Sequence, residues 1–171
     1  RDDQSIRATP NQDQNDLARN AKINASSYLE GADPNHVIDG EVRDVPGQWN
    51  HRWGAKLVDG GQWIELTWEN PVDINEVQIT FDSGFHRQLT LSASDAASRN
   101  IIRGPQPEMV KDYTLIANDS DENSIEITRV EGNYQRLRRH QFEGRSIRSL
   151  RLHVKATHGS EQIRVFEIRC Y

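Results

Sequence analysis

The alternation of apolar and polar residues with a period of two is the feature that most limits the fold of this chain. In residues 63–68 (WIELTW), Ile64, Leu66 and Trp68 fall on one side of an extended backbone. A strand points successive side chains to opposite faces, so this alternation predicts a half-buried strand. The same pattern returns at residues 74–81, 113–117, 125–127 and 150–156, and at residues 163–171 with a change of phase at Val165 and Phe166.

Turn-forming residues separate these short segments. Residues 59–61 (DGG), 69–71 (ENP) and 118–121 (NDSD) are examples, and Pro71 is expected to end the strand before it. The phase change at residues 165–166 is typical of a β-bulge. Short strands without a long amphipathic helix predict an all-β sandwich or barrel.

The length of 171 residues fits one domain, and residues 1–16 have few apolar residues and no periodicity. We interpret residues 1–16 as a flexible arm or linker and residues 17–171 as the folded domain. No stretch is long and apolar enough to cross a membrane. The single cysteine, Cys170, excludes an internal disulfide and a zinc site made of several cysteines.

Several segments occur in the order found in one known family. They are residues 20–27 (NAKINASS), 36–40 (HVIDG), 52–53 (RW), 62–66 (QWIEL), 74–79 (INEVQI) and 165–171 (VFEIRCY). Together they resemble discoidin, or coagulation factor V/VIII type C, domains, which include many galactose-binding-like carbohydrate-binding modules. The resemblance implies a jelly-roll β-sandwich of about eight main strands over residues 17–171, with Trp53 in its core.

A second likeness involves residues 81–84 (FDSG), 104–108 (GPQPE) and 130–136 (VEGNYQR). These segments resemble C-terminal modules of large bacterial FAD-dependent oxidoreductase-like proteins. The chain has no G-x-G-x-x-G motif for a dinucleotide, so the likeness implies an appended module and not the flavin domain.

The discoidin resemblance also implies a structural Ca²⁺ ion where the loop after the first strand meets the last strand. Calcium requires six to eight oxygen ligands or so. The implied ligands are the Asp39 side chain, the His36 and Glu41 carbonyls, and the carboxylate or carbonyl of Glu167.

The chain departs from the family pattern just beyond these residues. Thirteen residues separate Asp39 from Trp53, and His51 stands where the family usually has Thr. The alternative is that Asp39 caps a turn with Gly40 and that Glu167 pairs with an arginine.

The long loop of residues 41–52 is a candidate sugar-binding site. Aromatic rings stack on the C–H faces of sugars, and charged or amide side chains bind the hydroxyl groups. We assign Trp49 the stacking role and Asn50, His51 and Arg52 the hydrogen-bonding role. Packing of Trp49 into the core is an equally open alternative.

Two further loops carry residues of the same types. His86 and Arg87 follow Phe85 in one loop, and Tyr134 and Arg136 lie in the other. Loops gather at the ends of β-sandwiches, so these four ligand-binding candidates could join the first group. A solvated, charged edge strand is the alternative for the basic run after Arg136.

The function that these observations favour is a monomeric, non-catalytic carbohydrate-binding module of a larger bacterial protein, secreted or periplasmic. Its partner would be a polysaccharide or oligosaccharide, acidic ones included. The alternative is a docking domain that contacts the rest of a multidomain parent, because residues 136–171 carry nine Lys and Arg against three Glu.

Other classes of function find little support in the sequence. No G-x-S-x-G or H-E-x-x-H motif suggests an enzyme. The pI of about 5.7 and the lack of a basic motif argue against nucleic acid. Polar residues flank Trp49 and Phe85, which argues against insertion of these loops into a membrane.

Overall fold

The computed structural model describes residues 12–44, 47, 50–87, 93, 95–99 and 101–171, and these are the described residues below. They form seven strands, two 3₁₀ turns and one short helix. In chain order the elements are η1 (Leu17–Asn20), β1 (Lys22–Ala25), η2 (Pro34–Ile38), β2 (Trp53–Lys56), β3 (Gln62–Phe81), α1 (Asp95–Arg99), β4 (Val110–Asn118), β5 (Ser124–Val130), β6 (Leu137–Thr157) and β7 (Gln162–Cys170).

All paired strands are antiparallel, in the order β2-β7-β3-β6-β4-β5, and β1 pairs with β3. The two long strands, β3 and β6, bend, and each contributes one part to each layer of the sandwich. The first part of β3 pairs with β1 and the second part of β6, whereas its second part pairs with β7 and the first part of β6. The predicted all-β architecture is confirmed.

The prediction that Pro71 ends a strand is wrong, because β3 continues through it. The register between β3 and β6 instead jumps from Thr67 to Val72. Proline has no N–H for the ladder, so it is accommodated where pairing is interrupted and the strand bends. Continuous long strands explain why seven strands are present where about eight were expected.

The bulge that the sequence predicts near the end of the chain is present in β7. Thr80 pairs with Glu167, but the next residue, Phe81, pairs with Val165, which leaves Phe166 as the extra residue. Both Val165 and Phe166 are consequently buried. The bulge changes the direction of the Phe166 side chain, which contacts the functional site described below.

The tryptophans within the strands are structural, as expected. Trp53 and Trp68 are buried, and their indole N–H groups donate to the carbonyls of Ser27 (3.0 Å) and Leu17 (2.8 Å). Trp63 is half-buried, and the Arg151 guanidinium lies 4.3 Å from its ring centroid.

The folded domain extends back at least to Asp13, into the segment predicted as an arm. The Asp16 carboxylate accepts hydrogen bonds from the backbone N–H of Ala18 (3.1 Å) and of Cys170 (3.0 Å). The Tyr171 hydroxyl donates to Asp13 at 3.0 Å.

Cys170 is buried, and burial raises the pKa of its thiol. Within the described part of the chain, no helix could span a membrane.

A buried hydrogen-bonded pair connects β4 with β6. The Tyr113 hydroxyl lies 2.8 Å from Nε2 of His140. Burial raises the pKa of Tyr113 to about 12. Burial, assisted by the positive charge of Arg138, lowers the pKa of His140 to about 4. His140 is therefore neutral in the folded protein at physiological pH.

This pair predicts a loss of stability in mild acid. Between pH 6.5 and about 4 the unfolded chain protonates His140 while the folded chain does not, which lowers the free energy of unfolding as pH falls. Urea unfolding at pH 7 and pH 4.5 should therefore show a loss about 2–3 kcal/mol larger in the wild type than in His140→Gln. Equal losses in both proteins would contradict the assignment.

Candidate functional site

The loops that leave β3 and enter β6 lie side by side at one end of the sandwich. Thr80 pairs with Leu137 at the edge of the ladder, and the Phe81 N–H donates to the Arg136 carbonyl at 2.8 Å. The antiparallel pairing of these two strands therefore brings residues 82–87 next to residues 133–136. Two of the predicted sugar-binding loops meet here.

A groove with a volume of about 510 Å³ opens between these loops. Two aromatic side chains in its lining are largely exposed, Phe85 at 60% and Tyr134 at 69%. Its size falls in the range of about 300–1,000 Å³ that is usual for ligand pockets. The lining includes Ser83, Phe85, Gln106, Met109, Tyr134 and Arg136.

Arg136 organises the floor of this groove. Its Nη1 donates to the Phe81 carbonyl (3.1 Å) and to the Ser83 hydroxyl (3.2 Å), and its Nη2 donates to the Val42 carbonyl. The guanidinium also lies 4.4 Å from the ring centroid of Phe85. Burial lowers the pKa of Arg136, with nearby carboxylates opposing this effect. One side chain thus connects Val42 with residues 81–85, which include the aromatic wall Phe85.

The ring of Phe166 connects the groove with the long loop of residues 41–52. The guanidinium carbons of Arg136 and Arg52 lie 5.1 Å and 5.8 Å from its centroid. Arg52 is ion-paired with Asp44 and donates to Asn50 at 3.4 Å, and its side chain is only 8% exposed. Arg52 therefore shapes the loop and offers little surface to a ligand, whereas Asn50 is exposed.

Arg87 is held by a carboxylate. It makes a two-pronged contact with Glu108, which includes an Nη2–Oε2 distance of 2.7 Å, and it donates to Gln106 at 2.8 Å. Hydrogen bonding from Arg87 lowers the pKa of Glu108. A Cβ at Gly84 would lie 2.5 Å from Arg87 Nη2, and its φ of +73° also favours glycine. His86 stays exposed beside this pair.

The predicted sugar-binding residues therefore separate into groups. Tyr134 and Arg136 line the groove, and His86 and Arg87 lie in its adjoining loop. Arg52 lies across Phe166 with Asn50 beside it, and His51 belongs to another cluster. Trp49 lies outside the described residues. The sequence analysis missed the role of Phe85 as a wall and of Glu108 as the partner of Arg87. An aromatic residue next to a turn glycine was the available signal for Phe85.

The side chains of two residues from the predicted metal site, His36 and Asp39, lie close together with that of His51. One ligand atom from each of His36, Asp39 and His51 lies within 4.8 Å of the other two. His51 Nε2 is 2.5 Å from Asp39 Oδ2, and the two imidazole rings stack with centroids 4.3 Å apart. Asp39 Oδ1 accepts from the Glu41 N–H at 2.9 Å, as a turn cap does.

Glu167, the other predicted carboxylate, has an arginine beside it. Its Oε2 lies 2.7 Å from Arg169 Nε, and Glu167 is not in the cluster formed by the described residues. Two imidazoles and one carboxylate do not fit Ca²⁺, which takes oxygen ligands almost exclusively. The calcium site implied by the resemblance, which uses the His36 and Glu41 carbonyls and not an imidazole, stays a prediction.

The strand pairing gives this chain the fold of the galactose-binding-like β-sandwiches. Residues 16–97 match the sequence profile of a family described as "Domain of unknown function (DUF7402)". No curated protein sequence matches the chain significantly.

Solved structures similar to this chain include carbohydrate-binding modules and lectin domains. Chitosan-binding module 1 of a Paenibacillus sp. IK-5 chitosanase/glucanase has a TM-score of 0.65 at 18% identity, covering 91% of this chain and 98% of that one. The family 32 carbohydrate-binding module of Streptococcus pneumoniae EndoD has a TM-score of 0.66 at 13% identity, covering 91% and 98%.

The lectin domain of lectinolysin, solved with Lewis B antigen, also has a TM-score of 0.66, at 12% identity, covering 92% of this chain and 96% of that one. At these identities the chain shares the fold of these proteins. The likeness to modules of FAD-dependent oxidoreductases gains no support from these matches.

Proposed function

We propose that this domain is a non-catalytic module that binds oligosaccharides in the groove between Phe85 and Tyr134. The observation that carries the proposal is the large exposure of these two rings beside a groove whose floor is organised by the half-buried Arg136. Exposed aromatic rings are costly in water unless a partner covers them, and sugars present C–H faces that stack on such rings.

Polar groups around the rings can meet the hydroxyl groups of a sugar. The Ser83 hydroxyl lines the groove, and the Tyr134 hydroxyl is carried by an exposed side chain. In small-ligand sites, a few polar groups within an apolar lining fix the orientation of the ligand and provide specificity. The proteins of similar fold named above, which bind chitosan or Lewis B antigen, support the assignment to a glycan ligand.

The setting of the module follows from the same proposal. An oligosaccharide-binding module brings a larger protein to a glycan surface, so we place the parent protein outside the bacterial cytoplasm. Two basic residues of the β6 edge, Arg138 and Arg139, come shortly after Arg136 in the sequence. Because arginine binds carboxylate and sulfate groups, acidic glycans should be tested together with neutral ones.

A glycan array with the purified domain, followed by titration calorimetry on the best ligand, tests this proposal. Phe85→Ala and Tyr134→Ala should each weaken binding at least about tenfold, because buried aromatic anchors dominate such interfaces. Tyr28→Ala is the matched control, since Tyr28 is also exposed, at 59%, but does not line the groove. Its affinity should equal that of the wild type.

Two results would contradict this proposal, in whole or in part. Absence of binding to every neutral and acidic glycan would overturn the proposal and favour a docking surface for the rest of a parent protein. Binding that survives both Phe85→Ala and Tyr134→Ala would keep the glycan but move its site away from this groove.

A further inference from the structure

The cluster of His36, Asp39 and His51 contains ring nitrogens without partners. His36 Nδ1 and His51 Nε2 are shielded from solvent and make no hydrogen bond with any described residue. His51 Nε2 nevertheless lies 2.5 Å from a carboxylate oxygen of Asp39. Two electron-rich atoms this close, without an N–H directed between them, repel each other unless a cation lies against both.

We propose that these three side chains bind a divalent transition-metal ion, with Zn²⁺ as the best fit. Two imidazole nitrogens and a carboxylate oxygen are the ligand set that zinc accepts at sites with three protein ligands and one open position. Ligand atoms around a tetrahedral zinc ion are about 3.3 Å apart, given bond lengths near 2.0–2.1 Å. The separations here are all within 4.8 Å, so each differs from that value by about 1.5 Å or less.

A proton shared between His51 and Asp39 explains less of the arrangement. It would account for that pair as an ion pair, but it would leave the buried Nδ1 of His36 unsatisfied. A metal ion uses neutral imidazoles and recruits both rings at once.

The position of the site suggests its purpose. His36 belongs to η2 and Asp39 follows that turn, whereas His51 comes two residues before β2 begins. An ion held by all three would therefore close the long loop of residues 41–52 at its base. This loop supplies the Val42 carbonyl that accepts from Arg136 at the groove. The site itself rests on contacts that do not involve the groove, so it stands independently of the proposed function.

The test uses the whole 171-residue chain after treatment with EDTA and removal of the chelator. Calorimetric titration and thermal melts with Zn²⁺, and separately with Ca²⁺, measure affinity and stabilisation. Zn²⁺ should bind one to one and raise the melting temperature by several degrees, as saturating ligands of the folded state do. Co²⁺ in its place should give the visible absorption of a four-coordinate site.

Substitutions that preserve side-chain volume keep the test independent of folding. His51→Gln and Asp39→Asn should each weaken Zn²⁺ binding at least about tenfold, and Asp39→Asn retains an oxygen for the Glu41 N–H. His153→Gln is the matched control, since its imidazole contacts the Gly60 carbonyl at 2.8 Å outside the cluster. It should bind Zn²⁺ like the wild type.

Three results would overturn the proposal. The first is binding of Ca²⁺ but not Zn²⁺, which would restore the metal that the family resemblance implies. The second is no binding of either ion, which would leave only a contact between His51 and Asp39. The third is an unchanged Zn²⁺ affinity in both substituted proteins. Loss of glycan binding by the groove variants with Zn²⁺ binding intact would separate the two sites.

Discussion

Alanine in place of Trp53 is expected to lower the free energy of unfolding by about 3–5 kcal/mol, the usual cost of removing a large aromatic residue from a core. Trp53 is fully buried at the start of β2, and its indole N–H donates to the Ser27 carbonyl at 3.0 Å. The substitution leaves both a cavity and an unpaired carbonyl. Urea unfolding followed by circular dichroism measures the loss.

Trp63→Ala is the matched control for this substitution. It removes the same side chain from a half-buried position on the sheet surface, where Arg151 covers the ring. We expect a loss of only about 1 kcal/mol there, since less area is buried and no cavity forms. Similar losses for both tryptophans would mean that Trp53 is not the core anchor of this part of the fold.

Alanine in place of Arg136 is expected to abolish glycan binding and to destabilise the domain by about 2–4 kcal/mol. The substitution leaves the Val42 and Phe81 carbonyls without their guanidinium donor. It also removes the cation from the face of Phe85. The groove then loses its floor and the fixed orientation of one wall. Affinity by calorimetry and stability by urea unfolding report the two effects separately.

Two further variants distinguish the shape of the Arg136 side chain from its charge. Arg136→Lys retains the charge, but an ammonium group cannot reproduce the forked contacts, so affinity should remain at least about tenfold reduced. Arg148→Ala removes an exposed charge from β6, outside the groove lining, and should change neither property. Full affinity in Arg136→Lys would show that only the charge matters.

Much of the fold could be predicted because strand periodicity reports burial directly. Ile64, Leu66 and Trp68 are all buried, as their alternation indicates, and the phase change at Phe166 corresponds to a real bulge. The break expected at Pro71 was wrong because local signals cannot show that a neighbouring strand bends with it. Pairing between β3 and β6 joins residues far apart in sequence, and it outweighs the local preference.

The site was less predictable because it depends on which loops meet. Tyr134 and Arg136 were predicted as ligand-binding residues, and both line the groove. His51 was assigned to the sugar because its neighbours along the chain suggested it, but its spatial neighbours are His36 and Asp39. Glu108, which holds Arg87, lies twenty-one residues away from it. No periodic pattern encodes such contacts between loops, since they depend on the turns at several strand ends together.

The two long strands also determine how the domain comes apart. Because β3 and β6 each run through both layers, neither layer has a complete set of strands of its own. Unfolding of one layer would also disrupt two strands that continue into the other layer. The free energy of partial unfolding is therefore close to that of global unfolding. The domain therefore behaves as one cooperative unit, which suits a binding surface that must keep its shape while attached to something larger.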